Sequence, residues 1–438
     1  LWNQGLSRNI GPEGFIPADP LWSTESVEGE QVFSHPGVLA QPGLTSGNRT
    51  VILHKEGNMR EIVRFGIIGM GGMGNGHARN MPRVPEARLT AVCDIAPAAL
   101  QAAMDNYEVP GFDNHLALLD SGLVDAVLIA TPHYFHPPIA IDAMRRGIHV
   151  ISEKPMAVQV SEADKMLQVA EESGVVLAVM FQQRSLPVYQ AAKKLIDEGR
   201  LGPLYRTLLV DAHFRSQAYY NSAGWRATWK GEGGGVLLNQ APHGMDLFTW
   251  LGGMPAQVIA QVNTRQHAIE VEDEAAALLT YPNGGIGYLL ETVNEYPTGS
   301  RIELCGELGK LVIDEQGMRF WEVRPGVRAA SDDLEAMWGH PDAVEVEITL
   351  PERETGHAAI VRNVARAILY GEPLISPGSE AIRSLELANA ILLSGHRQKP
   401  VSLPVDRAEY DAFIEEKKAT SQEKRVQDLR ITDPRHIA

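Results

Sequence analysis

Three groups of residues in this 438-residue chain have the types and spacing to do chemistry. "GIIGMGGMGNGHARN" places Gly69, Gly71 and Gly74 in G-x-G-x-x-G spacing, with Asp94 twenty residues past the last glycine. "VISEKPM" sets Glu153 and Lys154 ahead of a proline, and "GGGVLLNQAPHGMD" spaces Asn239, His243 and Asp246 four and three apart. The glycine spacing suits a pyrophosphate: Gly69 for a tight turn, Gly71 for close approach of phosphate to backbone, Gly74 for close packing of helix on strand. Unpaired N–H groups at the helix N-terminus then face the phosphates. A carboxylate at Asp94 accepts from ribose hydroxyls and repels a 2′-phosphate, and "IAPAAL" after it supplies no Arg or Lys to offset that repulsion. NAD is therefore the expected cofactor.

The other two groups suit proton transfer. A lysine at the carboxyl end of a buried strand lies where ligands sit in such sheets, and partial burial lowers its pKa. A histidine, with an ordinary pKa of ~6.5, can take a hydroxyl proton as hydride leaves carbon, and a neighbouring ammonium can stabilise the developing oxyanion. The spacing puts Asn239, His243 and Asp246 on one helix face, with Asp246 orienting the imidazole from behind. If Pro242 starts the helix, Asn239 lies in the preceding loop instead. The glycine run is read as letting the helix start approach the cofactor.

These residues need elements to hold them. From Met59 to about Phe181, β-branched apolar runs ("RFGIIG", "RLTAVCD", "DAVLIAT", "HVISEK", "VVLAVMF") alternate with helical stretches. That pattern predicts an α/β fold whose first part, 59–182, is a Rossmann doubly wound parallel sheet. Beyond it, "VYQAAKKLIDEG" reads as a helix leading through "LGPLYRTLLVDAHFR" into the histidine stretch. "AQVIAQVNT", "EAAALLTYPNGGIGYLLETV", "SRIELCGELGKLVID" and "VEVEITLP" then read as strands joined by hairpin turns. A helix-rich return over 357–396 closes this second, C-terminal α/β domain (183–404), which carries a large, mainly antiparallel open sheet. Residues 405–438 form a charged tail, a solvated helix or disordered. Residues 1–58 are rich in Gly, Pro, Ser and Asn without sustained periodicity, and are expected as an extension, poorly ordered or loosely docked.

Composition narrows the classes. Formal net charge is −16, which disfavours nucleic acid or an anionic membrane surface as a partner. Hydrophobic residues at 44% and charged residues at 21% fit sizeable globular cores. Cys93 and Cys305 give no disulfide framework, no apolar run reaches the ~20 residues of a membrane span, and no export signal is visible, so a cytoplasmic location is expected. His133 and His136 form an H-x-x-H with no third ligand at zinc-like spacing, so no metal is expected there. No G-x-S-x-G, H-E-x-x-H or Walker loop is present. "YYNSAGWRATW" (219–229) is either domain core or a platform for a sugar ring, the latter favoured because it leads into the histidine stretch.

The glycine loop, "EKP", "WR" (225–226), the "GGG…H..D" stretch and "VEDEAAALLTYPNG" (271–284) occur in the order seen in the glucose-fructose oxidoreductase / inositol dehydrogenase / MocA family, which the chain resembles from about Met59 to Pro404. The resemblance implies a Rossmann domain, a C-terminal α/β domain whose open sheet often mediates oligomers, and oxidation or reduction of a sugar, polyol or glycoside with a tightly bound nicotinamide. By position it implies Lys154 as active-site lysine, His243 as catalytic histidine, and Glu153 as the residue on the nicotinamide ribose. It places Pro132, His136 and Gln182 around the nicotinamide, with Met73 and Thr131 counted among the cofactor residues, and Arg226 reaching cofactor or substrate. The family's D-x-x-x-H pattern is broken by Asn239, which can orient a hydroxyl or the imidazole but cannot act as a base. More of the proton transfer then falls on His243 and Lys154. A homo-oligomer, dimer or tetramer, is expected. Two rival functions use the same residues: a glycosidase that recycles NAD through oxidation and elimination, with Tyr219 or Tyr220 as second base, and a non-catalytic NAD-binding regulator.

Overall fold

The computed structural model describes residues 62–422 and Lys424, and two short strands before them. The chain divides into two units, residues 1–58 and 59–438. In the first, β1 (Glu25–Val27) pairs antiparallel with β2 (Glu30–Val32); the expected poor order of 1–58 otherwise lies outside the described residues.

The second unit opens with the alternation seen in the sequence. Its elements are β3 (Val63–Ile68), α1 (Gly72–Asn80), β4 (Ala87–Cys93), α2 (Pro97–Tyr107), β5 (Gly111–Phe112), α3 (His115–Leu119) and β6 (Ala126–Ile129), then α4 (His136–Met144), β7 (His149–Ser152), α5 (Val160–Ser173) and β8 (Leu177–Val179). The six strands are parallel, in the order β5-β4-β3-β6-β7-β8, which is the doubly wound order. Winding reverses between β3 and β6, so the loops after these two strands border the crevice where such sheets bind ligands. The short β5 carries too little sequence to show a period.

After α6 (Pro187–Asp197) comes β9 (Leu204–Phe214), then three short helical segments, α7 (Gln217–Asn221), α8 (Val236–Asn239) and α9 (Pro242–Gly252). The second sheet continues through β10 (Gln257–Asn263), β11 (Glu274–Thr280), β12 (Ile286–Thr292), β13 (Asn294–Gly306), β14 (Gly309–Asp314) and β15 (Gly317–Arg324). The chain ends through α10 (Val327–Asp333), β16 (Asp342–Val346), α11 (Gly356–Tyr370), α12 (Gly378–Arg397), β17 (Val401–Ser402) and α13 (Arg407–Thr420). Nine strands lie in the order β16-β15-β14-β13-β9-β12-β11-β10-β17. Helices α9 and α12 cover one face. The other leaves Ile259, Leu278, Ile286 and Tyr288 exposed.

Three expectations need correction. The segment read only as a lead-in, "LYRTLLVDAHF", is the central strand β9, which runs parallel to β12 and antiparallel to β13. Its inward side chains Thr207, Leu209 and Asp211 alternate with partly exposed ones, the period-2 signal of a half-buried strand. The helical return does not simply close the second domain. In α11, Ala358, Ile360, Val361, Val364 and Ala365 join Val63, Phe65 and Ile67 of β3 in one apolar cluster, so this helix covers the first sheet. The charged tail is not merely solvated either. α13 buries Tyr410, Phe413 and Ile414, a narrow apolar stripe among charges. No helix of the described residues is long and apolar enough to cross a membrane.

Candidate active site

The phosphate loop is shaped by clearance. Gly69 has φ +96°, and a Cβ there would lie 2.6 Å from the Ala130 carbonyl oxygen. At Gly74 a Cβ would lie 1.9 Å from the Gly69 carbonyl oxygen, so α1 can pack on the turn only without a side chain. At Gly71 a Cβ would meet nothing within 4 Å, which leaves open space over the start of α1. Met73 on the first turn is exposed. The Asp94 carboxylate accepts from Met70 N at 2.7 Å and from Ala96 N at 2.8 Å, so it also pins the loop, and each oxygen retains a second lone pair for a hydroxyl. Thr131 Oγ1 is buried without a hydrogen-bond partner among the described residues. An open cradle at a helix N-terminus, an acidic strand end and an unpartnered hydroxyl across the crevice fit a dinucleotide.

At the end of β7, Glu153 and Lys154 diverge. Glu153 Oε1 lies 2.7 Å from His77 Nε2 of α1. Burial alone would raise this carboxyl, but the His77 hydrogen bond and nearby cations bring it down to about 2. His77 carries no signal of its own in the sequence beyond its place in α1. Lys154 turns toward the second domain and donates from Nζ to the Asn239 carbonyl oxygen at 2.7 Å. Burial pushes its pKa down, with Glu153 and Glu232 opposing. His136, expected to line the nicotinamide pocket, is fully buried. Its ring nitrogens face the Pro155 and Thr131 carbonyls at 2.8 and 2.7 Å, so it ties two pocket loops together and does not present its ring. Pro132 lies between these loops, partly exposed.

The second domain brings His243 to meet them. Pro242 is the first residue of α9, so Asn239 closes the separate short helix α8 and the one-face reading of Asn239, His243 and Asp246 fails. Asp246 does not orient the imidazole. The Arg184 guanidinium grips it bidentately, with Nε and Nη2 each at 2.7 Å, and also bonds Glu380 of α12 at 2.6 Å. Arg184 and Asp246 are both about 1% exposed, a buried ion pair that fixes α9 against the turn after β8. The His243 imidazole rests edge-on against Phe181 and has Gln182 Nε2 3.4 Å from its Nε2, while its Nδ1 has no partner among the described residues. Burial, then the Lys154 charge, pushes its pKa down to about 3, so the imidazole is neutral at pH 7. The glycine run is required by packing: a Cβ at Gly235 would lie 1.8 Å from the Glu272 carbonyl oxygen, and one at Gly233 2.3 Å from Val158.

Part of the aromatic segment is domain core. Tyr220 and Trp229 are buried, and Trp229 packs edge-on against Phe413 of α13. Tyr219 is a hub: its hydroxyl accepts from Arg226 Nη1 and from Gln240 Nε2 (3.1 Å), and donates to Asn239 Oδ1 (3.3 Å). Arg226 stacks on Tyr219 and Trp225, with its guanidinium carbon 4.2 and 4.8 Å from the ring centres. Burial raises the pKa of both Tyr219 and Tyr220, which makes neither a ready base. Sequence reasoning missed Glu232, a buried carboxylate that accepts from the Asn239 side-chain amide and from Ala227 N. Only its place one residue before the glycine run could have pointed to it. Past α13, Lys424 Nζ donates to the Tyr220 carbonyl at 2.6 Å and Ser421 Oγ to Glu270 at 2.6 Å, which fastens this segment from outside.

A doubly wound sheet with an open phosphate cradle is the architecture of an NAD-binding oxidoreductase. The chain belongs to the GFO/IDH/MocA oxidoreductase family: residues 63–181 match the oxidoreductase family with an NAD-binding Rossmann fold, and 189–312 match the GFO/IDH/MocA C-terminal domain. It is 31% identical over 243 residues to the rhizopine catabolism protein MocA of Rhizobium meliloti, covering 54% of this chain and 73% of that protein. It is 24% identical over 361 residues to the inositol 2-dehydrogenase of Rhizobium meliloti, covering 78% of this chain and 99% of that one. Among solved structures, the WlbA dehydrogenase from Bordetella pertussis, in complex with NADH and UDP-GlcNAcA, matches with TM-score 0.66 and 30% identity over 79% of this chain and all of its own. A levoglucosan dehydrogenase in complex with NADH shares the fold at TM-score 0.66 and 22% identity, covering 78% of this chain and 100% of that one.

Proposed function

We propose that the chain transfers a hydride between NAD and a hydroxyl-bearing carbon of a sugar, polyol or glycoside, with Lys154 and His243 handling the oxyanion and the proton. The observation that carries this reading is that Lys154, bonded to the Asn239 carbonyl, and the neutral His243 imidazole four residues further on lie within reach of each other's charge, next to Glu153, which bonds His77 of α1. The inositol and levoglucosan dehydrogenases named above support the substrate class, and the nucleotide-linked sugar acid beside NADH in WlbA widens it.

The glycine loop, Met73, Asp94, Thr131, Pro132, Glu153 and Gln182 would hold the dinucleotide, and Arg226 would reach it or the substrate. The nicotinamide, when bound, accepts or returns the hydride. For oxidation, His243 takes the hydroxyl proton as a neutral imidazole; burial and the Lys154 charge weaken it as a base, so the proton moves only as the charge left on the oxygen is stabilised. The Lys154 ammonium stabilises the oxygen as negative charge builds on it. Asn239 orients a neighbouring hydroxyl through its side-chain amide and keeps Lys154 in place through its carbonyl.

Elimination, as in an NAD-recycling glycosidase, needs a second base for the acidified carbon. Tyr219 is held by three partners and Tyr220 is buried, so the two tyrosines do not offer one. Expected, therefore, is stoichiometric NADH from one member of a panel of sugars, polyols, glycosides and nucleotide-linked sugar acids. Aglycone release without net NADH, with solvent deuterium in the recovered sugar, would overturn the dehydrogenase. On that substrate Lys154→Met and His243→Ala should each lower kcat about 10²-fold or more while NAD still binds. Near-normal turnover in either removes that residue from the mechanism and, in both, favours the regulator.

The same reading includes a cytoplasmic location, in keeping with free Cys93 and Cys305, and a homo-oligomer formed through the sheet face bearing Ile259, Leu278, Ile286 and Tyr288. A monomer by sedimentation at micromolar concentration would remove the oligomer.

A further inference from the structure

Lys154 is buried between two arginines that repel its charge and two carboxylates that favour it. Burial disfavours the ammonium most, and Arg226 of the aromatic segment and Arg215, just past β9, act in the same direction. His133, His136, His243 and His357 face it from the turns and helices packed around β7. Two carboxylates oppose them. Glu153 is occupied on its far side by His77. The other, Glu232, is 1% exposed, and its two oxygens accept from Ala227 N–H and from the Asn239 side-chain amide. Both partners are N–H donors, an arrangement that suits an ionised carboxylate and not a carboxylic acid. The His133 imidazole, its Nδ1 3.0 Å from the Glu232 carbonyl oxygen, ties this residue to the first domain.

We propose that Glu232 is a positioning residue of the active site: through Asn239 it supplies the negative charge that an amide at position 239 lacks, and thereby keeps Lys154 an ammonium. The chain of contacts is continuous. Glu232 holds the Asn239 side chain, the Asn239 carbonyl holds Lys154 Nζ, and Tyr219 fixes the other end of the same amide. Burial raises the Glu232 pKa, while the Ala227 N–H, Arg226, Asn239 and Lys154 hold its charge in place; Glu272 and Lys424 are its remaining charged neighbours. A carboxylate moved back by one residue contact does for Lys154 electrostatically what an aspartate at 239 would do, without itself meeting the substrate.

This proposal rests on the catalytic reading of Lys154, but its test does not. The full-length protein is labelled with acetic anhydride across a pH series, and acetylation of Lys154 is read by mass spectrometry. Glu232→Gln keeps the shape and removes the charge, so the pH midpoint of Lys154 labelling should fall by about one unit. Glu232→Gln combined with Asn239→Asp exchanges the two groups across one hydrogen bond, and its midpoint should return to the unmutated value or exceed it. An unchanged midpoint in Glu232→Gln, or a double variant still below the unmutated protein, overturns the proposal; the double variant stays readable if the single one does not fold. Turnover of Lys154→Met is measured alongside. If it is retained, the catalytic reading fails, whereas the labelling midpoint bears on Glu232 alone.

Discussion

The two sides of the cleft are built by different means. The cofactor side is made of backbone: absent side chains at Gly69, Gly71 and Gly74 create the turn, the open space and the close packing, and Asp94 holds the loop through N–H groups. The proposed substrate side is made of side chains that bond one another across long stretches of sequence. Lys154, Asn239, Glu232, Tyr219 and Arg226 form one network, and Arg184, Asp246 and Glu380 form another that carries α9. A backbone-built site should fail locally when a Cβ is added, and a network-built site should fail through its buried charges.

Asp246→Ala should have the largest effect on stability, about 3–5 kcal/mol, because it strands the buried Arg184 guanidinium. Urea titration reads this, and the surviving folded protein should bind NAD normally. A loss below ~1 kcal/mol would show that the Glu380 contact suffices and that the network reading is overstated. Gly74→Val should do the reverse. Its Cβ meets the Gly69 carbonyl, so NAD affinity should fall by ~10- to 100-fold for the ~1–3 kcal/mol that overpacking costs, with a smaller change in urea midpoint. Unchanged NAD affinity would break the comparison on its cofactor side.

A smaller effect is expected from Asp94→Ala: a narrowing of the preference for NAD over NADP by about tenfold, the value of one charge-assisted contact. Equal dissociation constants for both cofactors in the unmutated protein would refute the role of Asp94. The gentlest test is acid. Glu153 at about 2 lies below its ordinary 4.5, so its stabilisation is complete above 4.5 and lost as pH falls toward 2. His243 at about 3 lies below its ordinary 6.5, so the unfolded chain takes up that proton first and stability declines as pH falls from 6.5 toward 3. Both slopes have the same sign; buried Asp246 and Glu272, raised to about 6 and about 7, act in the opposite direction as pH falls through that range, so the drop in Tm should be steepest below about 4. His243→Gln should flatten the decline between 6.5 and 4.5 while leaving the steeper part below it; an unaltered slope would show that His243 is not buried neutral.

The same contrast explains what could be read from the sequence. The glycine spacing, Asp94 and the alternating runs lie close together, and each has a local cause, so the first sheet and its loop were legible. Lys154 and His243 stood out through their motifs, and the structure brings them within reach of each other's charge, but their partners were not legible. Asp246 looked like the support for His243 because it follows one turn later, yet Arg184, sixty-two residues upstream, holds it. Glu232 gave no signal, because nothing local says that its side chain meets the Asn239 amide. β9 was passed over since half its residues face outward and its two neighbours, β12 and β13, come some eighty residues later.

The packing of α11 on β3 has a consequence for how the protein is made. The apolar side of the first strands waits for Ala358, Ile360, Val361 and Val364, which leave the ribosome nearly three hundred residues after Phe65. Until they emerge, the nascent nucleotide-binding half carries an uncovered greasy face, and it cannot finish folding as an independent module during synthesis. Order of synthesis and order of completion are therefore inverted: the half that begins first is finished almost last, and a ribosome stalled before α11 would display a sticky intermediate that holdase chaperones would recognise.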